Sequence, residues 1–211
     1  MDFKIQSCQV MNPPSVVVKM RCPVCHQRGT FEAFGTTDGF VNPDGVIVGQ
    51  RRCPDPSCGA LVFFVFKSST GNLMISYPPE RIDFDATNIP ASVLKALEEA
   101  IACHASNCFI AAAIMVRKTL EELCAERGAK GDNLKARIKG LSSKAVLPGE
   151  LLDGLDDLRL LGNDAAHIES KEFDTIGKEE VEVGIEFAKE VLKAVYQYSA
   201  LLNRLRALKK P

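Results

Sequence analysis

The sequence predicts an α+β protein in which a small β module is followed by an all-α helical region. Residues 1–77 contain short runs of β-branched and aromatic residues, separated by turns rich in Gly, Asp, Asn and Ser, which is typical of strands and hairpins. From about residue 90, apolar residues recur every three or four positions, which is the period of an amphipathic helix. We therefore expect two domains, 1–77 and 78–211.

The composition is that of an ordinary globular protein. Of the 211 residues, 46% are hydrophobic and 25% are charged, and the net charge is −1. This charge gives no general attraction to nucleic acid, and the lack of Trp argues against a large base-stacking surface. The longest apolar runs, "GALVFFVF" and "CFIAAAIMV", are too short to span a bilayer. The N-terminus lacks the pattern of a secretory signal, so we expect a cytoplasmic protein without membrane association.

Four runs in the β module predict strands: "SVVVKM", "GVIV", "LVFFVF" and "LMISY". The stretches "TTDG", "NPDG" and "SSTGN" predict the turns between strands. The prolines of "YPPERIDFDATNIP" disfavour regular structure, so we place the domain boundary in this segment.

The second domain is expected to contain five helices. The first begins near Pro90 with Asn88 as its N-cap, the second ends at Gly128, and the fourth begins near Pro148. The last runs from about Lys178 to Leu208, and its apolar seam predicts that it spans the bundle or pairs with a second copy. The apolar positions of the third helix are Leu134, Ile138 and Leu141, and those of the last are Val181, Ile185, Ala188, Leu192 and Val195.

Two close pairs of cysteines predict a metal site in the β module. They are Cys22, Cys25, Cys53 and Cys58. The spacing matches a zinc ribbon, in which each pair lies on a tight turn and four thiolates surround one structural Zn²⁺. The alternative is a set of reduced cysteines without metal. His26 adjoins Cys25, but four cysteines leave it no coordination position to fill.

Three arginines precede the two cysteine pairs: Arg21, Arg51 and Arg52. They are candidates for a local basic patch that contacts phosphate. We favour the alternative, in which these side chains are solvated and offset the negative charge of the thiolates.

The stretch "RLLGNDAAH" places Arg159, Asn163 and His167 four residues apart. On one helix these residues lie along a single stripe. Arginine can hold a phosphate group and histidine can move protons near neutral pH, so the stripe is a candidate catalytic site for metal-independent RNA cleavage. The alternative is that Gly162 and Asn163 end a helix, with Asp164 capping the next one.

The helical domain resembles the bacterial domain-of-unknown-function family 4145. The resemblance is carried by "ALEEAIACHASNCFIAAAIMVRKTLEELC" and "LRLLGNDAAH", joined by "LKARIKGL" and an acidic leucine-rich segment, and covers roughly residues 78–200. Members of the family occur alone, behind zinc ribbons, and in restriction and phage-defence proteins. Arg117 and Glu121 also match its pattern and can pair across one helical turn.

This family is similar to the HEPN superfamily of helical bundles, many of which are metal-independent ribonucleases. The resemblance implies a site of an arginine, a polar residue and a histidine, usually completed across a dimer. The matching residues are Arg159, Asn163 and His167. The spacing from Arg159 to His167 is longer than is usual in HEPN proteins, and several HEPN groups are inactive interaction modules.

Two functions follow as hypotheses. The first is an RNA-cleaving or RNA-binding protein of bacterial defence or stress response, acting as a homodimer. The second is a non-catalytic adaptor that docks a partner protein, which the near-neutral net charge favours. Binding of DNA through the β module and the basic tail "RLRALKK" is a weaker third hypothesis.

Overall fold

The structure is a computed structural model that describes residues 7–42, 45–145, 147–166 and 176–208. It divides into two compact units, Met1–Asp83 and Phe84–Pro211, which we call the β unit and the helical unit. Strands occupy the first unit and helices the second. The predicted α+β layout is confirmed.

The described part of the β unit forms a seven-stranded antiparallel sheet. Its strands are β1 (Ser7–Met11), β2 (Val18–Arg21), β3 (Arg28–Ala33), β4 (Asp38–Asn42), β5 (Val46–Arg52), β6 (Leu61–Lys67) and β7 (Asn72–Tyr77). One edge of β5 pairs first with β4 and then with β3, while its other edge pairs with β6 along its whole length. The sheet is therefore organised around β5.

The core of the β unit lies beside the two cysteine pairs. It contains Val18, Met20, Cys22, Phe31, Ile47, Cys53, Val62 and Phe64. The predicted turn "TTDG" is shorter than expected, because Asp38 and Gly39 open β4. Asp38 is buried in the interior of the unit, where it forms an ion pair with Arg51.

The described helical unit begins with four helices: α1 (Ala91–Ala105), α2 (Phe109–Glu126), α3 (Leu134–Leu141) and α4 (Gly149–Ala166). The predicted cap by Asn88 is wrong. Pro90 occupies the N-cap position without a side-chain hydrogen bond, because Asn88 adopts a left-handed conformation at φ 64° and belongs to the preceding turn. Gly128 is left-handed just beyond α2, where a glycine usually ends a helix.

The last predicted helix is continuous but changes type near its middle. It consists of α5 (Lys178–Leu192), a π-helical turn (Lys193–Gln197) and α6 (Tyr198–Ala207). The predicted seam from Val181 to Val195 is buried, whereas α6 buries none of its residues. Arg127 contacts two residues of the π-helical turn. Its Nη2 donates to the Val195 carbonyl at 3.2 Å, and its guanidinium lies 4.3 Å from the ring centre of Tyr196.

Candidate functional site

Two hairpin turns of the β unit carry the predicted metal ligands. The β2–β3 turn holds Cys22 and Cys25, and the β5–β6 turn holds Cys53 and Cys58. The pairing of β3 with β5 brings the two turns side by side. Gly29 permits their close approach, because a β-carbon at that position would lie 2.9 Å from Cγ of Pro54.

The four sulfur atoms converge to the separation that a tetrahedral metal site requires. All four Sγ atoms lie within 4.8 Å of one another. The Sγ–Sγ distances of Cys22 to Cys58 and of Cys25 to Cys53 are both 3.7 Å. A zinc ion held at ~2.3 Å by four thiolates separates the sulfur atoms by about 3.8 Å. The cluster can therefore hold a metal ion without rearrangement of these two contacts.

Both turns share one backbone design. The residue after the second cysteine of each pair is left-handed, with His26 at φ 61° and Gly59 at φ 57°. The amides of Cys22 and Cys53 donate to a carbonyl across their own turns, at 2.9 and 2.8 Å. His26 thus fills a position that favours glycine, and its side chain is exposed. Sequence reasoning missed this backbone role, although the Cys-His and Cys-Gly dipeptides stand in equivalent places.

The thiols of the cluster differ in acidity. Burial raises the pKa of Cys53 to about 12. Burial also acts to raise the pKa of Cys22, but hydrogen bonds from the amides of Cys25 and Val24 outweigh it and the pKa is lowered. Four adjacent thiols do not all ionise without a compensating cation, so metal binding would release protons from this cluster.

The three arginines beside the cysteine pairs do not form a basic patch. The side chain of Arg51 is only 2% exposed, and it pairs with Asp38, so the expectation that it is solvated is wrong. Arg21 pairs with Asp83 at 3.1 Å, and Arg52 pairs with Glu32 at 2.9 Å. Each guanidinium therefore already has a carboxylate partner.

Two of the three residues of the candidate stripe lie on α4. This helix runs without a break from Gly149 to Ala166, so the alternative in which Gly162 and Asn163 end a helix is wrong. Arg159 and Asn163 share that helix. His167 lies outside the described residues.

Arg159 contributes to a cleft that sequence reasoning did not identify. We call it the basic cleft; it has a volume of about 220 Å³ and is lined by Arg117, Asn133, Leu134, Lys135 and Arg159. The side chain of Arg159 is 13% exposed, and its Nε donates to Asp156 at 2.8 Å. This hydrogen bond lowers the pKa of the Asp156 carboxyl, so this carboxylate, and with it the ion pair, persists to a lower pH than an unpaired carboxylate does. The predicted pairing of Arg117 with Glu121 is confirmed at 3.1 Å.

The other cysteines stand apart from the metal cluster. Cys8, Cys103, Cys108 and Cys124 are free thiols, and the described residues offer no second group of potential metal ligands. Burial raises the pKa of Cys124 to about 11, so this thiol is unreactive near neutral pH.

No helix in the described part of the chain combines the length and the apolar character needed to cross a bilayer. Comparison with curated proteins and with solved structures gave no match. A family model does match, over residues 98–209, which is more than half of the chain and includes α2, α3, α4 and α5. The chain therefore belongs to the family described as Domain of unknown function (DUF4145).

Proposed function

We propose that the protein is a cytoplasmic zinc-ribbon, HEPN-like protein that acts on RNA in bacterial defence or stress response. The observation that carries the proposal is the position of Arg159, which is mostly buried on an unbroken α4 and lines a basic cleft. A largely buried arginine that lies beside other cations is better suited to binding a phosphate than an arginine on the protein surface is. Membership of the family that matches residues 98–209 supports the same proposal, because the stretch with Arg159, Asn163 and His167 lies in that range and resembles the site of HEPN proteins.

The four-cysteine cluster supports a structural Zn²⁺ in the β unit. Sulfur ligands in a tetrahedral arrangement suit zinc, and a site with four protein ligands leaves no open position for catalysis. The metal would thus hold the two hairpin turns together, while any chemistry takes place on the helical unit. Elemental analysis of protein purified without added metal is expected to give one zinc per chain, and a content near zero with freely alkylated cysteines would contradict this.

In the proposed reaction the 2′-hydroxyl of a ribose attacks the adjacent phosphorus, and the bond to the 5′-oxygen breaks. One base takes the proton from the 2′-hydroxyl, and one acid returns a proton to the departing 5′-oxygen. His167 would serve in one of these roles, Asn163 would orient its imidazole, and Arg159 would stabilise the charge on the pentavalent phosphorus. The products are a 2′,3′-cyclic phosphate and a free 5′-hydroxyl.

Incubation of the full chain with single-stranded RNA in the presence of a mild chelator tests this activity. We expect cyclic-phosphate products from the wild type and none from His167→Ala, with little change in melting temperature. Arg159→Ala should also abolish cleavage and weaken RNA binding. His26→Asn is the matched histidine control, because asparagine tolerates the left-handed conformation found there. A folded His167→Ala protein with full activity would reject the catalytic assignment.

A second candidate function is a non-catalytic adaptor. It is favoured by α6, which buries no residue and exposes Leu201, Leu202, Leu205 and Leu208. An exposed apolar stripe of this kind marks a protein interaction surface. In the adaptor a partner protein covers this stripe, whereas in the RNA-directed function a second copy of the chain covers it, as the composite sites of HEPN dimers imply.

A further inference from the structure

We propose that the basic cleft binds a phosphate group, taken from the backbone of an RNA strand that lies across α2, α3 and α4. The choice of RNA as the source of the phosphate rests on the proposed function. The phosphate site itself rests on the side chains that line the cleft, and two of them, Arg117 and Lys135, lie outside the candidate stripe.

Arg117 supplies the strongest observation. Its Nε donates to Glu121 at 3.1 Å, but its Nη1 is buried and has no hydrogen-bond partner among the described residues. A buried charged donor without an acceptor is costly. The Arg117 side chain is 26% exposed, so a rotation of its guanidinium would present this donor to an anion in the cleft, and the guanidinium fork matches the oxygen spacing of phosphate.

Lys135 and Arg159 approach the cleft from α3 and α4. Asp156 forms an ion pair with each of them. Its Oδ2 lies 3.2 Å from Nζ of Lys135, and its Oδ1 lies 2.8 Å from Nε of Arg159. The three cations of the cleft thus face two carboxylates, Asp156 and Glu121, and one positive charge remains. The carboxylates orient the cations without neutralising the cleft.

The first turn of α3 adds donors of a different kind. The side-chain oxygen of Asn133 accepts from the amide of Ala136 at 2.9 Å, so the polar group that Asn133 has left to offer is its amide NH2, which is a donor. The amides at the start of a helix also favour a negative charge. Lys135 is half-exposed, which keeps the cleft open to a phosphate on a strand passing over it.

The test titrates the full chain with inorganic phosphate and, separately, with a short single-stranded RNA. Binding is followed by calorimetry and by the NMR signals of the arginine Nε–H groups. We expect Arg117→Gln and Lys135→Gln each to weaken phosphate binding about tenfold, as loss of one charged hydrogen bond implies. RNA binding should weaken in the same two variants.

Lys118→Gln is the matched control. Lys118 lies on the same helix as Arg117 and pairs with Glu122 at 2.7 Å, and it does not line the cleft. Its loss should leave phosphate affinity unchanged. Asp156→Asn should strengthen phosphate binding, because it removes an acceptor that competes for Lys135 and Arg159, and a gain of affinity cannot arise from misfolding.

Phosphate binding that is absent, or is the same in wild type, Arg117→Gln and the half-exposed Lys135→Gln, would overturn the site. Phosphate binding that depends on these residues while RNA binding does not would overturn RNA as the source. RNA cleavage without phosphate binding in the cleft would refute this inference and leave the proposed function intact. Phosphate binding without any RNA cleavage would support the cleft and refute the proposed catalysis.

Discussion

Arg51 lies inside the β unit with its guanidinium fully engaged. Nη1 and Nη2 donate to the two carboxylate oxygens of Asp38 at 2.8 and 2.7 Å, and Nη2 also donates to the Val16 carbonyl at 2.8 Å. The guanidinium lies 4.5 Å from the ring centre of Phe64. Gly49 leaves space for the pair, because a β-carbon there would collide with a carboxylate oxygen of Asp38.

We predict that Arg51→Met destabilises the β unit by about 3–5 kcal/mol, because it leaves the Asp38 carboxylate buried and unpaired. Hydrogen exchange of the β4 and β5 amides during urea titration measures this loss. Arg52→Met is the control, since the Arg52–Glu32 pair is exposed and exposed pairs contribute about 0–1 kcal/mol. Equal effects of the two substitutions would refute the prediction.

His104 makes the helical unit sensitive to acid. It is buried, and burial lowers the pKa of its imidazole below 6.5. The positive charge of Lys178 also lowers this pKa. The negative charge of Glu182 and a hydrogen bond to the backbone of Lys178 raise it, but they do not outweigh burial. Its Nε2 has no hydrogen-bond partner among the described residues. The folded state therefore takes up this proton less readily than the unfolded state.

We predict that the helical unit is most stable above pH 6.5, and that its stability falls as the pH drops from there to the folded-state pKa of His104. In His104→Gln this part of the pH dependence should disappear. Urea unfolding followed by helical circular dichroism at a series of pH values measures it. The same slope in both proteins would show that other groups cause the acid sensitivity.

The segment before α3 depends on a close backbone approach. A β-carbon on Gly131 would lie 2.8 Å from the carbonyl carbon of Ala136 and from the amide nitrogen of Arg137. The Gly131 carbonyl also accepts from Nε of Arg137 at 3.2 Å. This contact fixes the chain just ahead of Asn133, the residue that caps α3.

We predict that Gly131→Ala destabilises the helical unit by about 1–3 kcal/mol, because backbone atoms must shift to admit the methyl group. Thermal unfolding measures the change. Gly149→Ala, at the start of α4, is the control, since its added methyl group would meet nothing within 4 Å. A stabilising effect of Gly131→Ala would show that the loop relaxes freely.

At the element scale, local patterns located the helices better than the strands. Apolar residues that recur every three or four positions lie within one segment of the chain, so α1, α2, α3 and α5 could be located from the sequence alone. Strands β1, β3 and β4 contain few β-branched residues. The pairings of β1 with β4 and of β3 with β5 join strands that are not consecutive in the chain, and a single sequence does not display such pairings. The basic cleft was missed for the same reason, because it requires the packing of three helices.

The four cysteines could be predicted because metal-ligand spacing is a local property of the chain. The ion pair of Arg51 could not, since its partner is selected by the way β4 and β5 align. The whole molecule thus contains a unit whose core adjoins a cysteine cluster able to hold a metal ion and a unit whose core consists of apolar residues of the helices.

We predict that strong chelation unfolds the β unit while the helical unit keeps its circular dichroism, because metal binding is coupled to the folding of the unit that binds it. Hydrogen exchange should show loss of protection in β2, β3, β5 and β6. Restoring zinc should restore protection. Complete loss of the helical signal on chelation would contradict the independence of the two units.

We predict that the protein forms a dimer through α6. Leu201→Lys combined with Leu205→Lys should give a monomer in sedimentation experiments at tens of micromolar, because charges would interrupt the apolar stripe. Asn203→Lys adds one positive charge at another exposed position of α6 and should leave the dimer intact. A wild-type protein that sediments only as a monomer would exclude this assembly.

The π-helical turn at Lys193–Gln197 has a consequence for how the leucines of α6 are aimed. A π-helical turn accommodates one more residue than an α-helical turn, and each residue rotates a helix by about 100°. The exposed leucines of α6 are therefore rotated about the helix axis, relative to the buried apolar residues of α5, by the angle of one residue. This rotation does not depend on the composition of α6. Deleting one residue from this turn would leave the sequence of α6 unchanged and turn its leucines to face a new direction. The orientation and the hydrophobicity of α6 can therefore be varied separately.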